Sequence, residues 1–505
     1  MSAAALLPFL GLTLLLLAGI VISRTGWPAY AVIVSVAVLG AVVAGGLGAP
    51  VSLMGALPGR LIALLEHDLL QALPMFLLMG ALLNRLGVVE ALFAAMSALL
   101  PKRQFNPVLS GLAVGALLGP VNGSVGASVL SLGRSVLAPL KAAGVAPADR
   151  VAVLALASTL GVVVPPSLVL ILLGDAMMSA HTVAVAANSK SAIATVASSA
   201  AQVRIINTQD IFYAAALPAL MVIALCALAA ILRFRHHVPD GAPAIAGPTR
   251  GQWWTAAGAL MVLAVLLGGV VSGRFYAVEA AASGAVIALA AGLVSGRLGG
   301  GNLHRALSEA LAHTGALFAL LVAATTLTLV FRVCGSDAWI AEMIAALPGG
   351  PTQVAVCVLV LLALSALVLD AFEIVFVVVP LVMPPLLMRV PDATWVAVLT
   401  LLILQLSFLM PPLGYALVLA KSREGVGAVA MASPTRAVAR ALAPFVLALC
   451  VVLGTVLMQP ASVHWWQPGN QAAPPATLSE EEVLRSMQQV LPPEAEVPEA
   501  TPAKP

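Results

Sequence analysis

Four short stretches place polar and helix-breaking residues inside otherwise apolar sequence. The first holds Gly119, Pro120, Asn122, Gly123, Ser124 and Ser128; the second runs from Ser158 and Thr159 through Gly161 and Val164 to Pro165, Pro166 and Ser167. The third is Asp370-Ala371-Phe372-Glu373, and the fourth runs from Ser407 through Met410, Pro411 and Pro412 to Gly414. Proline has no amide hydrogen and clashes with the carbonyl one turn earlier, so each Pro-Pro pair frees backbone carbonyls. Freed carbonyls beside Ser, Asn and Thr oxygens suit a small hard cation such as Na⁺, whereas helix N-termini at tight turns suit an anionic group. Asp370 is the strongest single candidate, a carboxylate able to ligate Na⁺ directly. Glu373, one turn on, reads equally as a ligand or as the partner of a neighbour. Arg134 offers a guanidinium to a substrate carboxylate, or else snorkels or pairs structurally. Glu66, His67 and Asp68 form a small cluster, with no second His at metal-ligand spacing. No phosphate-binding loop and no nucleophile-base set occurs, so the chain does not read as an enzyme or as an ATP-driven pump.

The elements that must position these residues are set by composition. The chain has 505 residues, 61% hydrophobic and only 9% charged, against about 25% charge in soluble domains. A water-soluble globule is excluded, and a net charge of +3 points to no nucleic-acid partner. The reading is an all-α polytopic membrane protein. Stretches long enough for a hydrocarbon core of about 30 Å fall at 4–22, 29–48, 61–83, 150–173, 211–232, 255–272, 276–296, 306–331, 393–420 and 437–458, about ten transmembrane helices. Two further apolar regions, 105–140 and 352–388, are broken in the middle and read as re-entrant hairpins. With the N-terminus outside, Lys and Arg divide fifteen inside to eight outside, with Arg134 left in the membrane. That bias favours two periplasmic termini. The four Cys are scattered through apolar runs and read as small hydrophobes.

The two broken regions are related. Ser124 precedes Pro165 by 41 residues, and Asp370 precedes Pro411 by the same interval. Pro139 follows Ser124 by 15, and Pro385 follows Asp370 by 15; Gly87 and Gly335 lie upstream at 37 and 35. The expected organisation is N-terminal scaffold spans (1–59), a first repeat (60–235), a linker with two connecting spans (236–304), a second repeat (305–458) and an acidic, disordered periplasmic tail (459–505). Within the tail, Ser479 and Glu482 suit a capping box. In this orientation the hairpins open to opposite sides, giving inverted repeats with interrupted helices, the pattern of a secondary transporter. The first repeat carries about 20 extra residues, placed in an outer loop at 175–210.

At these residues the chain resembles the large membrane subunit of tripartite ATP-independent periplasmic (TRAP) transporters. The resemblance covers most of 1–458. It rests on Asn122-Gly123-Ser124, Ala157-Ser158-Thr159-Leu160-Gly161 with Pro165-Pro166-Ser167, Asp370 with Pro380 and Pro384, and Pro411-Pro412-Leu413-Gly414. It implies an elevator-type Na⁺ symporter in a bacterial inner membrane, with no tightly bound cofactor. The implied partners are a small four-helix membrane subunit, a periplasmic substrate-binding protein and an organic acid such as a dicarboxylate, keto acid or sugar acid. One Na⁺ is implied around Asn122, Ser124, Gly161 and Val164, and a second near Asp370, Met410 and Gly414. Ser128, Ser158, Ser167, Arg134 and Glu373 are then the substrate candidates. Three positions depart from the family pattern: Asn122 in place of Ser, Ser128 in place of Asp, and Met410 in place of Thr. Two other readings remain at this level: a stand-alone anion symporter or antiporter without a binding protein, and an ion channel, which would conduct far faster than a carrier turns over.

Overall fold

The structure, a computed structural model, describes residues 3–66, 68–101, 103, 105–192, 206–235, 247–367, 369–411, 414–424 and 435–465. Among them there is no strand. The helices are α1 (Ala3–Thr25), α2 (Ala29–Gly46), α3 (Leu57–Leu65), α4 (Asp68–Arg85), α5 (Val88–Leu99), α6 (Asn106–Asn122), α7 (Val125–Ala142), α8 (Pro147–Val163), α9 (Leu168–Ala192) and α10 (Thr208–Phe234). They continue as α11 (Arg250–Val271), α12 (Ala277–Val294), α13 (Asn302–Cys334), α14 (Ser336–Ala345), α15 (Pro351–Ser365), α16 (Ala371–Glu373), α17 (Val379–Arg389), α18 (Ala393–Leu409), α19 (Tyr415–Glu424) and α20 (Thr435–Met458). A π-turn, Ile374–Val378, joins α16 to α17, so these form one arm from Ala371 to Arg389.

Eight helices among the described residues are long and apolar enough to cross a membrane, and shorter apolar helices such as Pro351–Ser365 and Ala393–Leu409 stand beside them. The chain is therefore an all-α, multi-pass membrane protein. Two expectations are corrected. The span expected at 61–83 is interrupted: α3 ends at Leu65 and α4 begins at Asp68, an acidic residue that favours a helix start. His67 lies outside the described residues. The stretch expected to loop out from 175 is helical as far as Ala192. Its Ala-rich sequence contains no Gly or Pro after Gly174, so intrinsic helix propensity outweighs the scattered polar residues. Residues 193–205, and the tail from 466 with its Ser479–Glu482 box, lie outside the described residues.

Helices α4–α10 recur in order as α13–α20, with the arm Ala371–Arg389 standing for α7. The correspondence extends to single residues. Gly87 turns α4 into α5 at φ 68°, and Gly335 turns α13 into α14 at φ 69°, a left-handed conformation that glycine adopts without strain. Ser124 caps α7, and Asp370 caps α16. Val164 ends α8 at φ −75°, ψ 117°, and Met410 ends α18 at φ −74°, ψ 118°.

Packing fixes where these breaks meet. α8 is buried along its length from Val151 to Val163, and α18 is buried throughout. α6 crosses α8 so closely that a methyl on Gly119 would lie 2.6 Å from the Gly161 Cα, and one on Gly161 would overlap the Gly119 backbone. At its start α8 is tied to α10 by Arg233, whose Nε and Nη2 donate to Asp149 Oδ1 at 2.8 and 2.6 Å. The Trp395 indole donates to the Val456 carbonyl at 2.8 Å, tying α18 to α20. The four cysteines are unpaired, two buried and two exposed.

Candidate functional site

The first hairpin turns at Gly123, held at φ +81°, where a side chain would run into Leu77 and Leu168. The turn delivers Ser124 to the start of α7, where its Oγ accepts from the Ala127 amide at 3.0 Å. Four residues on, Ser128 lies on the same face of α7. Opposite, α8 ends because Pro165 and Pro166 cannot donate to the carbonyls of Gly161 and Val162. The Ser167 hydroxyl partly replaces them: it donates to the Val162 carbonyl at 3.3 Å and accepts from the Leu170 amide at 3.1 Å, capping α9.

These elements enclose a small cavity lined by Gly119, Gly123, Ser124, Ser128, Ser158, Gly161 and Ser167, with apolar neighbours. The space open to a water-sized sphere is about 10 Å³, enough for one water or one dehydrated monovalent cation. Ser128 is 1% exposed and its Oγ has no hydrogen-bond partner among the described residues. A buried hydroxyl left unpaired costs about 1–3 kcal/mol, and an oxygen-seeking occupant of this cavity would recover it. The Ser158 hydroxyl, by contrast, is satisfied by the Leu154 carbonyl at 2.8 Å.

The structure thus regroups the sequence candidates. Ser124 and Gly161, expected at a cation, share one space with Ser128, Ser158 and Ser167, expected at the substrate. The space is ion-sized in this structure. Asn122 is 6% exposed, and its Nδ2 has no partner among the described residues; its Cα lies beside Gly80 of α4, and it does not line the cavity. Val164 contributes the extended backbone that ends α8. Arg134 is exposed on α7 and does not line the cavity.

At the second tip, Asp370 Oδ1 accepts from the Ala371 amide at 2.8 Å, while Glu373 Oε2 accepts from the Asp370 amide at 3.1 Å. The two acids form a capping box, which gives Glu373 a neighbour contact at the Asp370 amide. Neither carboxylate forms an ion pair with a basic side chain among the described residues. Met410 is 40% exposed and its carbonyl accepts from the Gly414 amide at 2.8 Å. A methyl on Gly414 would press on the Phe408 and Met410 backbone. Pro412 and Leu413 lie outside the described residues.

Two residues escaped the sequence reading. Tyr415, directly after Gly414, puts its hydroxyl within electrostatic reach of both Asp370 and Glu373, and a methyl on Gly126 would lie 3.3 Å from that hydroxyl. Tyr415 therefore stands between the two hairpin tips, and its only sequence signal is an aromatic residue following the Pro-Pro break. Gln405 is 0% exposed, and neither of its amide atoms has a partner among the described residues. It sits six residues before Pro411, as Thr159 does before Pro165; a lone Gln in an apolar helix is the signal there.

A family model described as "Tripartite ATP-independent periplasmic transporter, DctM component" matches residues 10–209 and 191–462. The chain is 27% identical over 44% of its length to a C4-dicarboxylate TRAP transporter large permease protein of Rhodobacter capsulatus, spanning 48% of that protein. It is 24% identical over 78% of its length to the sialic acid TRAP transporter permease protein of Haemophilus influenzae, spanning 59% of it. A C4-dicarboxylate large permease of Pseudomonas aeruginosa is also 24% identical, with 85% of its length spanned. Two of these three relatives are thus matched over about half of their length. Among solved structures, the Alcanivorax borkumensis YdaH transporter shares the fold at a TM-score of 0.56 and 16% identity, covering 92% of this chain and 99% of that one.

Proposed function

The chain belongs to the DctM-component family of tripartite ATP-independent periplasmic transporters and is a large permease of that kind, and we propose that it drives Na⁺-coupled import of a small organic acid. In this reading the permease sits in a bacterial inner membrane with both termini periplasmic. A small four-helix membrane subunit completes it, and a periplasmic binding protein delivers the substrate. Relatives named for C4-dicarboxylates and for sialic acid support a carboxylate substrate.

The observation that carries the proposal is the ion-sized cavity containing the unpaired Ser128 hydroxyl, together with its charged counterpart at Asp370. Ser124, Ser128 and the donor-less Gly161 carbonyl are neutral oxygens suited to Na⁺. Non-helical backbone at membrane depth is tolerated where it lines such a site. At the second tip, the unneutralised Asp370 and Glu373 carboxylates call for a cation before an organic anion can approach. Once cations are in place, the N-termini of α7 and α16 present positive helix ends to a carboxylate. Substrate binding therefore depends on Na⁺ binding. The hairpin-bearing body then moves against the scaffold as an elevator, carrying the loaded tips across.

The test is uptake of labelled dicarboxylates, keto acids and sugar acids into proteoliposomes holding the permease and its small subunit, with the binding protein outside. Accumulation follows an inward Na⁺ gradient and is lost in Asp370→Asn. Equal accumulation without Na⁺, or without the binding protein, sinks that part of the reading.

A further inference from the structure

A second cavity shares no lining residue with the ion-sized one, and transport as proposed above makes no use of it. It has a volume of about 330 Å³ and runs between α4, α11 and α12. Its lining is mostly apolar, with Met79, Leu83, Val262 and Ile287 beside the small Gly258 and Ala288. A methyl at Gly258 would meet nothing within 4 Å. α11 is the least buried of the spanning helices, with 22% of its span inside the protein, so the cavity is a slot on the lipid-facing side.

One end of the slot is chemically different. Arg297, Thr255, Ser295 and Trp254 close it. Arg297 Nη1 donates to the Leu86 carbonyl at 2.6 Å and lies 3.5 Å from Thr255 Oγ1, which fixes the guanidinium at the mouth. Among the described residues no carboxylate pairs with it. Trp254 lines the slot and is 74% exposed, the behaviour of an indole at a membrane-water boundary. Beside Leu86, Arg85 is already paired with Glu309 at 3.0 Å, which leaves Arg297 as the guanidinium offered to the slot.

The depth of the slot selects its occupant. Along α11 it runs from Trp254 to Leu263, which at 1.5 Å per residue is about 13 Å. That is about one leaflet, half of a hydrocarbon core of ~30 Å. A spanning helix of a partner would need the whole core; an acyl chain anchored at Arg297 needs one leaflet.

We propose that this slot is a phospholipid site: one acyl chain lies between α4, α11 and α12, and the phosphate sits on Arg297 beside Trp254. Basic pockets between transmembrane helices bind lipid headgroups in this way. The site is independent of the coupling ion and of the substrate.

Native mass spectrometry of the full chain, stripped of lipid in detergent and titrated with phosphatidylglycerol, tests it. The wild type retains one phospholipid per chain. Arg297→Gln keeps a donor for Leu86 but loses the charge, and lowers apparent affinity at least tenfold. Gly258→Phe fills the slot from an uncrowded position and abolishes retention, while the melting temperature without lipid stays at the wild-type value. Equal retention in all three proteins overturns the site. Loss in Gly258→Phe with none in Arg297→Gln overturns the headgroup assignment. Displacement of the lipid by the small membrane subunit at stoichiometric amounts would make the slot a protein interface and overturn the proposal.

Discussion

Gly161→Ala is the sharpest perturbation available at the helix crossing. A Cβ at this position overlaps the Gly119 carbonyl carbon, Cα and oxygen, all of them backbone atoms that no rotamer change can remove. The reciprocal methyl on Gly119 would lie 2.6 Å from the Gly161 Cα, about 1 Å inside ordinary van der Waals contact at 3.5–4.0 Å. Relief requires α6 and α8 to separate by about that amount. Overpacking of a tight core costs about 1–3 kcal/mol, and the crossing lies on the wall of the ion-sized cavity. Separation by about 1 Å opens a space of about 10 Å³ beyond the reach of a single ion, moving the Gly161 carbonyl away from Ser124 and Ser128. The expected result is a rise of about 10- to 100-fold in the Na⁺ concentration for half-maximal uptake, equivalent to about 1.4–2.7 kcal/mol, with a lower melting temperature. Na⁺ titration of uptake in proteoliposomes measures it. Gly454→Ala in α20, where a methyl meets nothing within 4 Å, is the control and leaves Na⁺ dependence unchanged. A Gly161→Ala permease with half-saturation within twofold of wild type refutes the reasoning from the crossing to the ion.

Ser128→Ala removes an unpaired hydroxyl, so the melting temperature holds or rises slightly, while Na⁺ half-saturation increases about tenfold. Ser158→Ala, whose hydroxyl is satisfied within α8, changes half-saturation less than twofold in the same titration. Asp370→Asn retains a good helix cap, so expression and melting stay near wild type while Na⁺-driven accumulation is lost; a parallel fall in melting temperature would point to a structural role instead. Arg233→Ala leaves the mostly buried Asp149 carboxylate unpaired and destabilises by about 1–3 kcal/mol, read as a drop in thermal melting that Asp149→Asn in the same chain partly restores.

The fold was legible where the physics is local. Long apolar runs declare spanning helices, and equal spacing from Ser124 to Pro165 and from Asp370 to Pro411 declared that two regions share one design. The grouping of ligands was not legible. Ser128 falls in with Ser124 because helical spacing puts both on one face, but which face looks at α8 depends on how closely Gly119 and Gly161 let the helices cross. Tyr415 was missed for a related reason: its importance comes from a tertiary meeting with Gly126, nearly 300 residues earlier in the sequence. The continuation of α9 past Asp175 follows from an Ala background with no Gly or Pro, which outweighs the scattered polar residues expected to loop out.

The two repeats match in backbone and differ in charge. Ser124 and Asp370 hold the same capping position, yet one is neutral and the other is an acid. An emptied first tip is thus uncharged, whereas an emptied second tip is negative whenever Asp370 or Glu373 is ionised. In the elevator cycle proposed above, the return of the unloaded body moves that charge outward through the electric field. An inside-negative membrane potential then does work on the return stroke, about 2.3 kcal/mol per elementary charge per 100 mV. In that proposed cycle, voltage would favour return of the empty carrier toward the periplasm whenever the second tip is ionised, with or without a Na⁺ gradient.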